Sequence, residues 1–168
     1  MRIKEIKCYQ FDELPDDAKE KALMNLCDIN VDYEWWDSVY EDAENIGLKL
    51  TGFDLDRNRH ATGELIFEPL EVAKAILSDH GEMCDTYQLA KEFKAKYEPK
   101  YNKWYNSVLT DYDLENDLDN MAEDFERSLV EEYSVILQKE YEYLTSEEAI
   151  IETIRANGYE FDEYGNMI

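Results

Sequence analysis

Side chains able to act as nucleophiles, proton shuttles or soft metal ligands are scarce in this sequence. It has two histidines, His60 and His80, and three cysteines, Cys8, Cys27 and Cys84. The cysteines are odd in number, widely spaced and without a C-x-x-C pair, which suits reduced thiols better than a disulfide framework. Neither histidine has a second one at helical or finger spacing, so a zinc site would need carboxylates gathered from distant positions. Neither stands beside a serine or cysteine in a context such as G-x-S-x-G, and no glycine-rich phosphate loop is present. Two runs approach a calcium loop: Asp54, Asp56 and Asn58, then Asp111, Asp113, Glu115 and Asp117. The first has Arg59 where the turn glycine belongs and Leu65 where the bidentate glutamate belongs; the second has Asn116 and Ala122 there. Paired carboxylates for acid–base work occur everywhere in so acidic a chain and select no reaction. The expectation is a non-enzymatic protein without metal or cofactor.

What the chain has in abundance is negative charge. Its 168 residues carry 41 Asp and Glu against 17 Lys and Arg, a formal charge of −24, while 44% hydrophobic and 13% aromatic residues suffice for a folded core. Phosphates would be repelled by such a body, which argues against direct nucleic-acid binding. No apolar run is long enough to span a membrane, and the start MRIKEIKCYQF carries no apolar signal segment, so a cytoplasmic address in a host cell is expected. The acidity is uneven: residues 12–44 hold twelve acids and two lysines, and residues 111–148 hold fourteen acids and two bases.

The elements that must carry these charges follow from periodicity. Residues 2–11 alternate as a first strand, with Ile3, Ile6 and Cys8 on one side. Pro15 suits a first helical position, followed by an apolar face of Ala18, Ala22, Leu23 and Leu26. A second helix runs from Asp32 as N-cap to Gly47, with Trp35, Trp36, Val39, Tyr40, Ala43 and Ile46 recurring at helical spacing. A hairpin over residues 48–68 is expected to pair with the first strand. Residues 69–80 form a third helix, and residues 86–105 a lysine- and aromatic-rich one bent at Pro99. A loop at 108–113 precedes a single long helix over 114–143, about 45 Å at 1.5 Å per residue. Thr145 with Glu148 gives a capping box for a last helix ending before Gly158, and the tail YEFDEYGNMI can add a terminal hairpin. The expected fold is one α+β domain: a small antiparallel sheet of N-terminal strand, central hairpin and C-terminal hairpin against five to six helices, one of them long and acidic.

On that long helix Glu115, Asp117, Asp119, Glu123, Asp124 and Glu126 lie off the apolar stripe. Like charges at three- and four-residue spacing each cost a few tenths of a kcal/mol, so a helix that needed only solubility would interleave lysines. A rigid row of carboxylates can instead occupy a groove built for a phosphate backbone, with fast, salt-sensitive association. Glu34, Asp37, Glu41 and Asp42 make a second acidic patch. Lys91, Lys94, Lys96, Lys100 and Lys103, interleaved with Phe93, Tyr97, Tyr101 and Trp104, are expected to supply core rings and to neutralise the neighbouring acidic helices.

The segments YQFDELPDDAKEKAL, INVDYEWWDSVYEDAENIGLKLTGFDLDRNR and LQKEYEYLTSEEAIIETIRANGYEF together resemble a family of small acidic proteins found in phages and mobile elements. The likeness spans roughly two thirds of the chain and leaves residues 82–134 outside it. It assigns no catalytic residue; Pro15 stands where a capping serine is expected in relatives. In charge and size the chain is also similar in style, though not in sequence, to phage antirestriction proteins that mimic DNA. Together these imply a phage-encoded inhibitor of a host restriction or CRISPR nuclease, whose partner is a basic nucleic-acid-binding host protein; homodimerisation is left open. The alternatives are a small-ligand or nucleotide binder using Tyr40, Arg57, Arg59, His60 and Trp104, and an antitoxin-like partner protein.

Overall fold

A computed structural model describes residues 7–107 and 111–168. The elements are β1 (Tyr9–Gln10), a 3-10 turn (Phe11–Glu13), α1 (Asp16–Asn25), α2 (Asp37–Asn45), β2 (Leu48–Asp54), β3 (His60–Leu65), α3 (Pro69–Asp79), α4 (Asp85–Tyr105), α5 (Tyr112–Leu144), α6 (Glu147–Asn157) and β4 (Glu160–Phe161). Among the described residues this is the expected α+β composition, six α-helices with two small antiparallel sheets. Contacts divide the chain into two compact units, one of the residues up to Trp35 with Lys139–Ile168, the other Trp36–Gln138.

The first unit joins both ends of the chain. β1 pairs antiparallel with β4, Tyr9 opposite Phe161 and Gln10 opposite Glu160, and Phe161 bridges to Met167 across the terminal turn. Ala18 and Ala22, four residues apart, give α1 a flat side, and its core partners are Phe11, Leu14, Ile150, Ile154 and Phe161. Asn30 is buried with both ends of its amide satisfied: Nδ2 donates to the Leu144 carbonyl at 3.0 Å, and Oδ1 accepts from Thr153 Oγ1 at 2.7 Å. The N-cap of α6 is Ser146, whose hydroxyl accepts from the Ala149 amide, and not Thr145. Thr145 instead donates its hydroxyl to the Tyr141 carbonyl one turn back, so it is spent closing α5. Pro15 is extended, with φ −65° and ψ 158°, and stands one residue before the helix it was expected to begin.

The second unit is built around the hairpin and α2 to α5. β2 and β3 pair with each other from Leu48 opposite Leu65 to Asp54 opposite His60, with an irregularity between Leu50 and Gly52. The expected pairing of this hairpin with the first strand does not occur, since β1 is engaged by β4. One physical reason is visible at the β3 edge: the Leu65 amide, which a further strand could use, donates to Glu126 Oε2 of α5 at 3.0 Å. Of the expected first strand, residues 2–6 lie outside the described residues, as do residues 108–110 of the expected loop; Tyr112 and Asp113, placed in that loop, open α5.

α2 starts four residues later than expected, with Trp36 and not Asp32 as its N-cap. Trp35 packs on Tyr141 with ring centres 5.6 Å apart, whereas Trp36 packs on Phe53 at 5.4 Å. Residues 31–36 form turns that deliver these adjacent rings to separate neighbours, so the helical path begins only at Asp37. Gly47 follows the helix with φ +88°, the left-handed conformation expected there. α4 continues through Pro99, whose ring nitrogen has no hydrogen to donate to the carbonyl of Ala95. Phe125 of α5 stacks on Phe93 of α4 at 4.1 Å, and the column continues along α4 through Tyr97, Tyr101 and Tyr105 at 4.7, 5.9 and 6.1 Å.

Candidate partner-binding face

α5 is amphipathic in the way its period requires. Leu118, Phe125 and Leu129 are buried, and the opposite stripe exposes Asp113, Asp119, Glu123, Asp124 and Glu131, with Asn116, Asn120 and Arg127 among them. From Asp113 to Glu131 the stripe runs about 27 Å at 1.5 Å per residue. Asp113, Asp119, Glu123 and Glu131 have no cation within 4 Å among the described residues.

The six acids of the long helix singled out from sequence divide by position. Asp119, Glu123 and Asp124 lie on the exposed stripe; Glu115, Asp117 and Glu126 are half-buried along its flank. Asp124 is paired with Arg127 three residues on, 2.5 Å from its guanidinium. Asp117 is paired with Lys100 of α4 at 2.5 Å, the one contact through which the lysine helix neutralises α5 among the described residues. Glu126 serves the hairpin by accepting from the Leu65 amide. Asp113 and Glu131 were not singled out. Continuing the three- and four-residue steps from Glu123 in both directions would have found them.

The acids near α2 also separate. Asp37 and Glu41 are exposed one turn apart on α2, while Glu34 lies exposed in the turn before Trp35, within the first unit. Asp42 is exposed as well, but its Oδ2 is engaged within the second unit, accepting from the Tyr133 hydroxyl at 2.7 Å. Burial first, and then the bond to that carboxylate, pushes the Tyr133 phenol far above its ordinary value. His80 Nε2 stands 3.7 Å from the same oxygen, and His80 Nδ1 lies 2.7 Å from Thr86 Oγ1. The order Asp–His–Thr has the look of a relay, but Thr86 is only 3% exposed, so its hydroxyl is closed to a substrate. The cluster stitches α2, the end of α3, α4 and α5 together.

The residues proposed for a small-ligand pocket do not converge as a set. Tyr40 packs on Phe53 at 6.3 Å, with burial holding its phenol above the usual value. Trp104 packs on Tyr101 at 5.9 Å, and Arg57 is exposed in the hairpin turn. Arg59 and His60 do line a cleft of about 280 Å³ between β3 and α5, facing Arg127 and Glu131, which sequence reasoning missed. In the two calcium-like runs, Asp54 accepts from the Asp56 amide and Asp111 from the Leu114 amide, turn and cap roles. Among the described residues no three His, Cys, Asp or Glu side chains gather as a metal site, no helix is long and apolar enough to cross a membrane, and all three cysteines are exposed. Comparisons with known protein families, with curated proteins and with solved structures find no match to this chain.

Proposed function

We propose that this chain is a non-enzymatic binding protein that docks the exposed carboxylate stripe of α5 into the basic groove of a nucleic-acid-binding protein and occupies it in place of a phosphate backbone. The observation that carries the reading is the stripe itself: Asp113, Asp119, Glu123 and Glu131 on one rigid helical face, without a neutralising cation among the described residues. Along the axis these four carboxylates are about 9, 6 and 12 Å apart at 1.5 Å per residue, separations a lysine and arginine groove made for nucleic acid can engage. Such a ligand offers no base edges and no scissile phosphodiester, so binding it blocks the groove. Following the expectation drawn from the sequence, a host defence nuclease of restriction or CRISPR type is the partner to try first.

The test is affinity capture from a bacterial lysate with immobilised protein, wild type against Asp119→Lys/Glu123→Lys. The wild type should retain nucleic-acid-binding proteins that elute on raising salt from about 0.05 to about 0.5 M, where screening shortens to a few ångströms, and that free duplex DNA competes away. The reversed variant should retain none of them. Retention of the same proteins by both would reject the stripe as the docking surface.

A further inference from the structure

Bases are outnumbered 41 to 17 in this chain, so an arginine without a carboxylate beside it stands out. Arg155 follows the expected pattern, held by Asp12 through hydrogen bonds of 2.6 and 3.1 Å. Arg59 does not: among the described residues no carboxylate lies within 4 Å of it. It stands on the wall of the cleft of about 280 Å³ between β3 and α5, and a second arginine, Arg127, comes to the same cleft from α5 with Nη2 paired to Asp124 and its other N–H groups left to donate.

The other walls define what could enter. His60 Nδ1 lies 2.8 Å from the Asn58 carbonyl oxygen. A carbonyl only accepts, so Nδ1 carries the proton and Nε2 is left for a ligand, as an acceptor in the neutral ring and a donor in the charged one. The Thr62 hydroxyl is already engaged within the hairpin by Thr51 and the Gly52 carbonyl. Glu126 is committed to the Leu65 amide, which leaves Glu131 as the wall carboxylate able to take a new donor. No aromatic ring other than the imidazole lines the cleft, so it lacks a stacking surface for a base. Two guanidiniums, an imidazole nitrogen and one carboxylate suit a ligand that is doubly anionic at one end and carries hydroxyl donors next to it.

We propose that this cleft binds a phosphate monoester with adjacent hydroxyls, the chemistry of a sugar phosphate or of the ribose-phosphate end of a nucleotide. Arg59 and Arg127 hold the phosphate from opposite walls, and Glu131 accepts from a hydroxyl. The cleft shares Glu131 and Arg127 with the stripe, but the two readings fail separately, because neither Asp119 nor Glu123, the residues reversed in the capture test, lines the cleft.

Thermal unfolding of the full chain with ribose 5-phosphate, adenosine monophosphate, inorganic phosphate and ribose tests it. Ionic strength is held constant with sodium chloride, because screening a charge of −24 stabilises the fold whatever the anion. Ribose 5-phosphate should raise the midpoint saturably, by a few degrees at about 100-fold above its Kd, and ribose should not. Equal affinity for adenosine monophosphate supports a sugar phosphate as the source; at least tenfold tighter binding supports a nucleotide. Arg59→Ala and Arg127→Ala should each weaken binding at least tenfold, Glu131→Ala should erase the preference over inorganic phosphate, and Arg155→Ala should change nothing. The proposal is overturned by the absence of a saturable rise above the chloride control. It is overturned equally by inorganic phosphate binding as well as the ester, or by a rise that survives Arg59→Ala/Arg127→Ala.

Discussion

Asp119 is the residue at which the cost of the acidic stripe can be measured. It lies four residues from Glu115 on one side and from Glu123 on the other, so it takes part in two like-charge pairs on the surface of α5. Each such pair costs ~0.2–0.5 kcal/mol, and a lysine in its place turns both repulsions into attractions of similar size. The summed change is ~1–2 kcal/mol, and solvent around the exposed Asp119 brings the expected gain down to about 1 kcal/mol. For a chain of this length that is roughly a 3 °C rise in Tm. The assay is thermal unfolding of wild type, Asp119→Asn and Asp119→Lys at about 0.02 and about 1 M salt, where the screening length falls to about 3 Å. The asparagine should give about half the gain of the lysine, and both gains should shrink at high salt. The same Asp119→Lys chain should bind the basic partner less well, so stability and binding move in opposite directions. A lysine variant no more stable than wild type at low salt would show that the stripe carries no repulsive load, and the reasoning that it is kept for recognition would fail.

Other expectations concern what holds the stripe in place. Glu126→Ala should free the Leu65 amide, costing about 1–2 kcal/mol and speeding its hydrogen exchange roughly tenfold, whereas Glu126→Gln keeps an acceptor and should exchange slowly; equal rates in all three proteins would remove the latch. Asp162 accepts from the Asn166 side chain first and then from the Asn166 and Tyr164 amides, which hold its carboxyl below the ordinary 3.8. Its folded-state value is depressed, so the stabilisation is present above 3.8 and is lost as pH falls through that lower value. The urea midpoints of wild type and Asp162→Ala should therefore differ at neutral pH and converge on strong acidification; a difference that persists in acid contradicts the assignment. Gly165, at φ +79°, would bring a Cβ against the Ala18 carbonyl oxygen, so Gly165→Ala should cost at least about 2 kcal/mol. Gly158 at φ +62° faces open space, and Gly158→Ala should cost about 1 kcal/mol in the same urea titration.

The amino-acid order alone settled the helices with a strong period. Leu118, Phe125 and Leu129 recur on one side of α5, and the opposite side is acidic whatever it packs against, because a 3.6-residue turn separates the two faces. Pro69 at the first position of α3 and Gly47 after α2 are equally local, since each acts through its own φ. Spacing did not decide which carboxylates would be free. Glu126 is taken by an amide 61 residues away and Asp42 by a phenol 91 residues away, and Asp117 meets Lys100 only because α4 and α5 lie side by side. β1 likewise found its partner at the other end of the chain. Periodicity records which side of an element avoids water, but a hydrogen-bond partner is fixed by where distant segments come to rest, and only the tertiary structure supplies that.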